Sequence, residues 1–265
     1  MRLANLFVHP LKSGRGIEYT RAFADQQGLL HDREWLLVDG SGAFMTARTH
    51  PAMVRIEIDL IPGAALFKTA DRAPVLAMMT VYDEPVECQV WGDHFVAYHG
   101  DERVDAWFSD YLGEPCRLLW LGQQPTRSQK DQEAALSFAD GYPYLLVNQS
   151  SLEALNGLLA KPVTVRHFRP NLLISGAAAY EEDDWLRIRI GEVLFEVTKP
   201  CSRCVLTTVD PDTGVKDEQN EPLKTLIRTR QLAEGICFGS NLRALNAGLI
   251  YVGDEVEVLE SRYSF

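Results

Sequence analysis

The sequence predicts a mainly β fold with a few helices, a β-rich α+β chain, and three observations carry that expectation. Short runs of β-branched, aromatic and aliphatic residues recur along the chain, bounded by Gly, Pro, Asp or Asn. Two segments show the three-to-four apolar spacing of an amphipathic helix. The strand-like runs of the second half are evenly spaced, which favours a barrel or a sandwich. At 265 residues the chain has room for one or two domains.

Leu3 to Val8 reads as the first strand. The apolar run is too short for a signal peptide, and no small-residue cleavage site follows it. Glu34 to Val38 is the next strand. It leads through Asp39-Gly40-Ser41-Gly42 into Phe44 to Arg48, a predicted hairpin. Val54 to Leu60, Val86 to Trp91 and Cys116 to Leu121 follow as strands. Between the last two, Val104, Trp107, Phe108 and Tyr111 share one face of a predicted helix over Asp101 to Leu112. The polar segment Pro125 to Asp140 lacks periodicity and is predicted to be a loop. It divides an N-terminal barrel-like region, 1–120, from a C-terminal barrel, 121–265. In the second part Leu145 to Val147 reads as a buried strand, and Asn148 to Leu159 as a helix capped by Asn or Ser. Val163 to Phe168, Asn171 to Ser175, Leu186 to Ile190, Val193 to Thr198, Val205 to Val209 and Glu255 to Leu259 complete the predicted strands.

Composition removes several function classes. A net charge of −11 speaks against nucleic-acid binding and against anionic membranes. No run approaches the roughly 20 apolar residues of a membrane-spanning helix. Five unevenly spaced cysteines without an export signal predict reduced thiols and a cytoplasmic setting.

The most informative stretch runs from Lys199 to Gly214 and contains Cys201-Ser202-Arg203-Cys204. Nearby cations favour a thiolate, the reactive and metal-binding form of cysteine. A structural zinc site needs two further ligands, but there is no second Cys-x-x-Cys and no closely spaced His pair. A thioredoxin-like motif leads into a helix, whereas Val205 to Val209 looks strand-like. A single soft thiolate completing a cofactor's own ligand set fits better, beside the plainer reading of a buried cysteine pair.

Basic residues recur in turn-rich contexts. Lys12 and Ser13 lie in the glycine-flanked turn after the first strand, where backbone N–H groups can form an anion-binding nest. Arg33 starts one strand, Arg48 ends the next run, and Arg169 and Asn171 flank Pro170. Guanidinium forks match phosphate geometry, although each is equally suited to a structural ion pair or a solvated turn. Together with Arg203 they predict a site for an anionic ligand, with Asp140 facing it from its turn.

With those residues set out, the chain resembles the MOSC-domain family, in particular members with an N-terminal MOSC β-barrel region. These include YcbX-like and mitochondrial amidoxime-reducing-component-like molybdenum-cofactor proteins. The resemblance is carried by His9-Pro10-Leu11-Lys12-Ser13, Asp32-Arg33, Thr46-Ala47-Arg48, Ser137 to Pro143, Phe168-Arg169-Pro170-Asn171, the cysteine segment and Val252 to Val256. It implies a molybdenum cofactor, a pyranopterin dithiolene with a terminal phosphate, and no pyridoxal phosphate. By the family's pattern Cys204 is the metal ligand and catalytic centre, and Cys201 has no assigned role. Lys12, Ser13, Arg33, Arg169 and Asn171 match phosphate- and pterin-binding positions; Arg48, Asp140 and Arg203 match motif positions of less defined role. The implied activity is reduction of small N-hydroxylated compounds (amidoximes, hydroxylamines, N-hydroxylated base analogues), an N-reductive detoxification. Relatives with a fused ferredoxin-like domain carry its iron–sulfur cysteines, which this sequence lacks. Electrons are therefore expected from a separate protein of ferredoxin or flavoprotein type. Two other classes use the same residues: a non-catalytic molybdenum-cofactor or sulfur carrier, and a thiol redox protein working through Cys201 and Cys204.

Overall fold

The computed structural model describes residues 1–123, 127 and 136–262. Most of the predicted loop from Pro125 to Asp140 lies outside the described residues.

The chain is mainly β. The largest sheet has the strand order Val256–Ser261, Trp185–Ile190, Val193–Ser202, Gly235–Ala244, Tyr144–Asn148, Leu172–Ser175, Arg2–Val8, Ile17–Tyr19, with Gln231–Leu232 added to Gly235–Ala244. The first strand thus joins strands from the far end of the chain. In that first strand Leu6 and Val8 alternate inward and Leu3 joins them across an irregularity between Leu3 and Asn5, all three in one core with Tyr144, Ile188 and Phe195. A four-stranded sheet, Trp35–Asp39, Cys116–Trp120, Asp93–His99 and Glu84–Val90, and a three-stranded one, Glu57–Ile61, Ala64–Thr69 and Arg72–Met78, build the other main body. There Trp35, Phe67, Phe108 and Leu118 are fully buried. The predicted barrels are corrected to open sheets. In the largest sheet, the first strand meets the approach to the last through the Arg2–Glu255 bridge and backbone bonds from Leu3 N–H to Asp254, Gly253 N–H to Leu3 and Val256 N–H to Met1, short of a full strand ladder.

Both predicted helices form. Helix Glu102–Leu112 is capped by the Asp101 carboxylate on the Arg103 N–H and ends at Gly113 in the left-handed region, φ 79°. Helix Gln149–Asn156 is capped by Asn148 on Ser150 and is shorter than predicted. A third, Leu223–Thr229, has no counterpart in the sequence reading.

Three predicted extended runs turn instead. Val205–Thr208 is a 3-10 turn, because the Thr207 and Thr208 hydroxyls bond back to the carbonyls of Cys204 and Val205. Between Pro162 and Pro170, Val165–His167 is also a 3-10 turn, with Thr164 and His167 bonded across its start. Val54 belongs to a 3-10 turn opened by Pro51. The hairpin after Asp39 turns as expected, with the Asp39 carboxylate accepting from Ser41 and Ala43. Its second arm leaves after the Val38–Phe44 bridge, and Trp35–Asp39 pairs with Cys116–Trp120.

The two bodies are stitched at the turn after the first strand. Trp35 N–H donates to the Pro10 carbonyl at 2.9 Å, and Lys12 N–H to the Trp35 carbonyl at 2.9 Å. Strand ends from both bodies therefore converge beside residues 9–14.

Candidate functional site

A cavity of about 350 Å³ opens at this junction. Lys12, Ser13, Arg33, Arg48, Asp140, Arg169, Asn171, Arg203 and Cys204 all line it. The structure thus brings every residue singled out in the sequence into one place, from segments as far apart as 12 and 204.

The inner wall is cross-linked by charge and amide. Arg33 pairs with Asp32, whose other carboxylate oxygen accepts from the His9 N–H at 2.7 Å. The same guanidinium donates to Asn171 Oδ1 at 3.2 Å and to the Arg169 carbonyl at 3.3 Å. Asn171 is fully buried, and its Oδ1 also accepts from the Leu145 N–H at 3.2 Å, so it clasps strand ends as well as facing the cavity. Arg169 reaches back with Nη1 to the Gly14 carbonyl at 2.5 Å. Ser13, Arg33 and Arg169 adopt positive φ of 67°, 54° and 54°. That region is unfavourable for non-glycine residues and concentrates where a site over-determines the backbone.

Burial lowers the basicity of this wall. Burial pulls the Arg169 guanidinium down to about 9, with Arg33 adding like-charge repulsion. Lys12 is also lowered by burial, against the pull of Asp140. His9 lies well below the ordinary histidine value because it is buried and faces Arg169 and Arg33. Its Nε2 lies 3.0 Å from the Pro170 carbonyl, which fits the neutral ring donating there, while Nδ1 is buried without a partner.

Asp140 is the counter-charge. It pairs with Lys12, accepts from Trp91 Nε1 at 2.9 Å, and lies 3.6 Å from Arg48. Desolvation pushes its carboxyl upward, but Lys12, Trp91 and Arg48 more than offset this and hold it far below the carboxylate range. Arg48 in turn sits 4.3 Å over the Trp91 ring. The sequence reading missed Trp91, which follows strand Glu84–Val90 at φ 53°. It also missed Arg127, which is buried and takes the Ser137 and Ala139 carbonyls at 2.7 and 2.6 Å while Lys12 takes Phe138 at 2.8 Å. Neither has a local motif. Lys199 also lines the cavity; its position two residues before Cys201 on one strand was a usable signal.

The outer wall is the cysteine segment. Strand Val193–Ser202 runs past Cys201, and Cys204 follows as an exposed residue at the start of the 3-10 turn. Arg203 donates from Nη1 to Cys201 Sγ at 3.1 Å and from Nη2 to the Phe168 carbonyl at 2.7 Å. Cys201, expected to be a bystander, is therefore the hydrogen-bond partner of Arg203 and lines the cavity. The strand-like continuation that counted against a thioredoxin motif is absent, but so is the helix such a motif requires.

An anionic cofactor bringing its own soft donors fits these residues. The Nε–H groups of Arg48 and Arg203, both lining the cavity, are buried without partners. Among the described residues no group of three or more His, Cys, Asp or Glu could hold a bare metal ion. The arrangement offers donors for an anion and one exposed thiol for a metal.

Comparison with known proteins agrees with this chemistry. The family model described as MOSC N-terminal beta barrel domain matches residues 1–115, and the one described as MOSC domain matches residues 133–257. The chain is 33% identical over 279 residues to mitochondrial amidoxime-reducing component 1 of Mus musculus, covering 97% of this chain and 82% of the relative. The Homo sapiens protein of the same name is 33% identical with the same coverage. The molybdenum cofactor sulfurase of Oryza sativa subsp. japonica is 31% identical over 90% of this chain, which spans 32% of that longer protein. With both family models together spanning most of its length, the chain belongs to the MOSC-domain family.

Proposed function

We propose that the cavity holds a molybdenum–pyranopterin cofactor and that the protein reduces small N-hydroxylated compounds with electrons from a separate donor of ferredoxin or flavoprotein type. The observation that carries this reading is six cations, Lys12, Arg33, Arg48, Arg169, Lys199 and Arg203, lining one cavity with the exposed Cys204 in an acidic chain. When bound, the cofactor supplies two-electron redox chemistry, balanced as R–NHOH + 2 e⁻ + 2 H⁺ → R–NH₂ + H₂O.

The chain's own residues bind and orient. Lys12, Ser13, Arg33 and Arg169 hold the phosphate and pterin, Asn171 fixes the Arg33 fork, and Asp140 balances Lys12 and Arg48. Cys204, exposed at the cavity, would supply the thiolate to the metal. A cytoplasmic setting goes with five free cysteines; no helix among the described residues is long and apolar enough to cross a membrane. Protein made in a cofactor-competent host should contain molybdenum and pterin near unit occupancy. Cys204→Ser should lose molybdenum while Cys201→Ser keeps it; equal retention in both sinks the assignment.

The likeness to the sulfurase, where this architecture is part of a longer protein, favours a second reading as a non-catalytic cofactor or sulfur carrier. Reduction of a hydroxylamine by the holoprotein with dithionite–viologen excludes it; cofactor binding without turnover selects it.

A further inference from the structure

We propose that Lys199 is a specificity residue that selects N-hydroxylated substrates carrying an anionic group, carboxylate or phosphate. This rests on the function above and names the substrate class of the same site. The chain has 37 Asp and Glu against 26 Lys and Arg. Its cavity reverses that balance, with Lys12, Arg33, Arg48, Arg169, Lys199 and Arg203 facing the single carboxylate of Asp140.

Partners divide these cations. Arg33 has Asp32, and Lys12 and Arg48 share Asp140. Arg169 and Arg203 are held by carbonyls and by the Cys201 sulfur, and Lys199 Nζ sits 5.2 Å over the Tyr142 ring. Among the described residues none of these three has a carboxylate within ion-pair distance. With the cofactor's phosphate and pterin given to Lys12, Ser13, Arg33 and Arg169, Arg203 and Lys199 are the cavity cations left without a counter-charge. Arg169 and Arg203 are partly buried, whereas Lys199 is exposed.

Position then says what the remaining charge meets. Lys199 lies on the strand leading to Cys204, and both line the same cavity. The Tyr142 ring beside it offers a flat face for the body of an aromatic or heterocyclic substrate. A small molecule bound in this cavity with its N–OH at Cys204 shares the cavity with a compact, exposed ammonium, which takes carboxylate or phosphate as a point charge.

The test uses holoenzyme with dithionite–viologen and three probes: benzamidoxime, its para-carboxylate and its para-phosphonate. In Lys199→Met the ratio of kcat/KM for each charged probe over the neutral one should fall about fivefold, the upper range for an exposed ion pair. Lys199→Arg should retain the ratio, and added salt should shrink it in the wild type. Calorimetric Kd values on oxidised holoenzyme should shift by the same factor. The two anionic arms show which group is preferred. An unchanged ratio overturns the proposal, as does an effect of Lys199→Met confined to assays driven by a protein donor, which would assign Lys199 to donor docking. If the wild type reduces none of the probes, the proposed function fails, and the calorimetric ratio still decides Lys199.

Discussion

The two walls of the cavity are built differently. On the inner wall, Lys12, Asp32, Arg33, Asn171 and Arg169 are tied to one another and to carbonyls from distant strands, and three residues there hold positive φ. On the outer wall, Lys199 and Cys204 are exposed, and the half-buried Cys201 sulfur accepts from Arg203. The difference separates recognition from chemistry. A fixed anion needs preorganised forks, whose rigidity comes from buried pairing. A metal ligand and a substrate entrance need access, which buried pairing would remove.

The largest expected effect breaks the inner wall. The Asp32 side chain is 1% exposed and its Arg33 partner 14% exposed. Removing one member of a buried pair leaves the other charge uncompensated, at a cost of about 3–5 kcal/mol. Urea unfolding of Arg33→Met should show a loss near the lower end of that range, since Asp32 keeps the His9 N–H. Adding Asp32→Asn should recover part of it. A loss below about 1 kcal/mol would mean the inner wall is not held by this pair.

This contrast also explains what was legible in the sequence. Lys12, Arg33 and Arg169 stood out by type and local turn context and the Cys201–Cys204 pair by its spacing, with Cys204 chosen only through the family resemblance, and all of them line one cavity. Trp91 and Arg127 were not, because their roles arise from contacts with Asp140 and with residues 137–139 that no local spacing records. The first helix was visible through the spacing of Val104, Trp107, Phe108 and Tyr111, and the second through its Asn148 cap and leucine face. The strand expectation for Val205–Val209 failed because β-branched threonines also bond back to preceding carbonyls. Barrel closure was beyond reach for a similar reason, since strand spacing carries no information about whether sheet edges meet.

An intermediate effect comes from His9, which sits behind the inner wall at 4% exposure. Its folded-state value is depressed, so below the unfolded value of about 6.5 the unfolded chain binds a proton that the folded one refuses. Stability from this residue is therefore present above pH ~6.5 and lost as pH falls toward the folded value. His31 and His99 are shifted upward and act with the opposite sign, so the difference between proteins is the useful quantity. The slope of unfolding free energy against pH, measured from pH ~6.5 to ~5, should be shallower in His9→Gln by up to about 1.4 kcal/mol per pH unit. Coincident slopes would show that His9 is not held neutral.

The smallest effect on stability belongs to the outer wall. Cys204 is exposed, and its carbonyl rather than its thiol organises the following turn. Cys204→Ser should change unfolding free energy by no more than about 0.5 kcal/mol. The same exposure sets an order of alkylation in the cofactor-free protein, read by mass spectrometry of iodoacetamide-treated peptides. Cys204 should react first. Cys201, half-buried and bonded by Arg203, should follow. Cys88, Cys116 and Cys237 should react last, since all three are buried, and burial pushes the Cys88 thiol up to about 12 and the Cys116 thiol up to about 11. Loading with cofactor should then protect Cys204 before any other thiol, because a metal-bound sulfur is no longer free to attack. If Cys201 labels ahead of Cys204, or loading protects both equally, the open wall presents two equivalent sulfurs and the single-thiolate assignment fails.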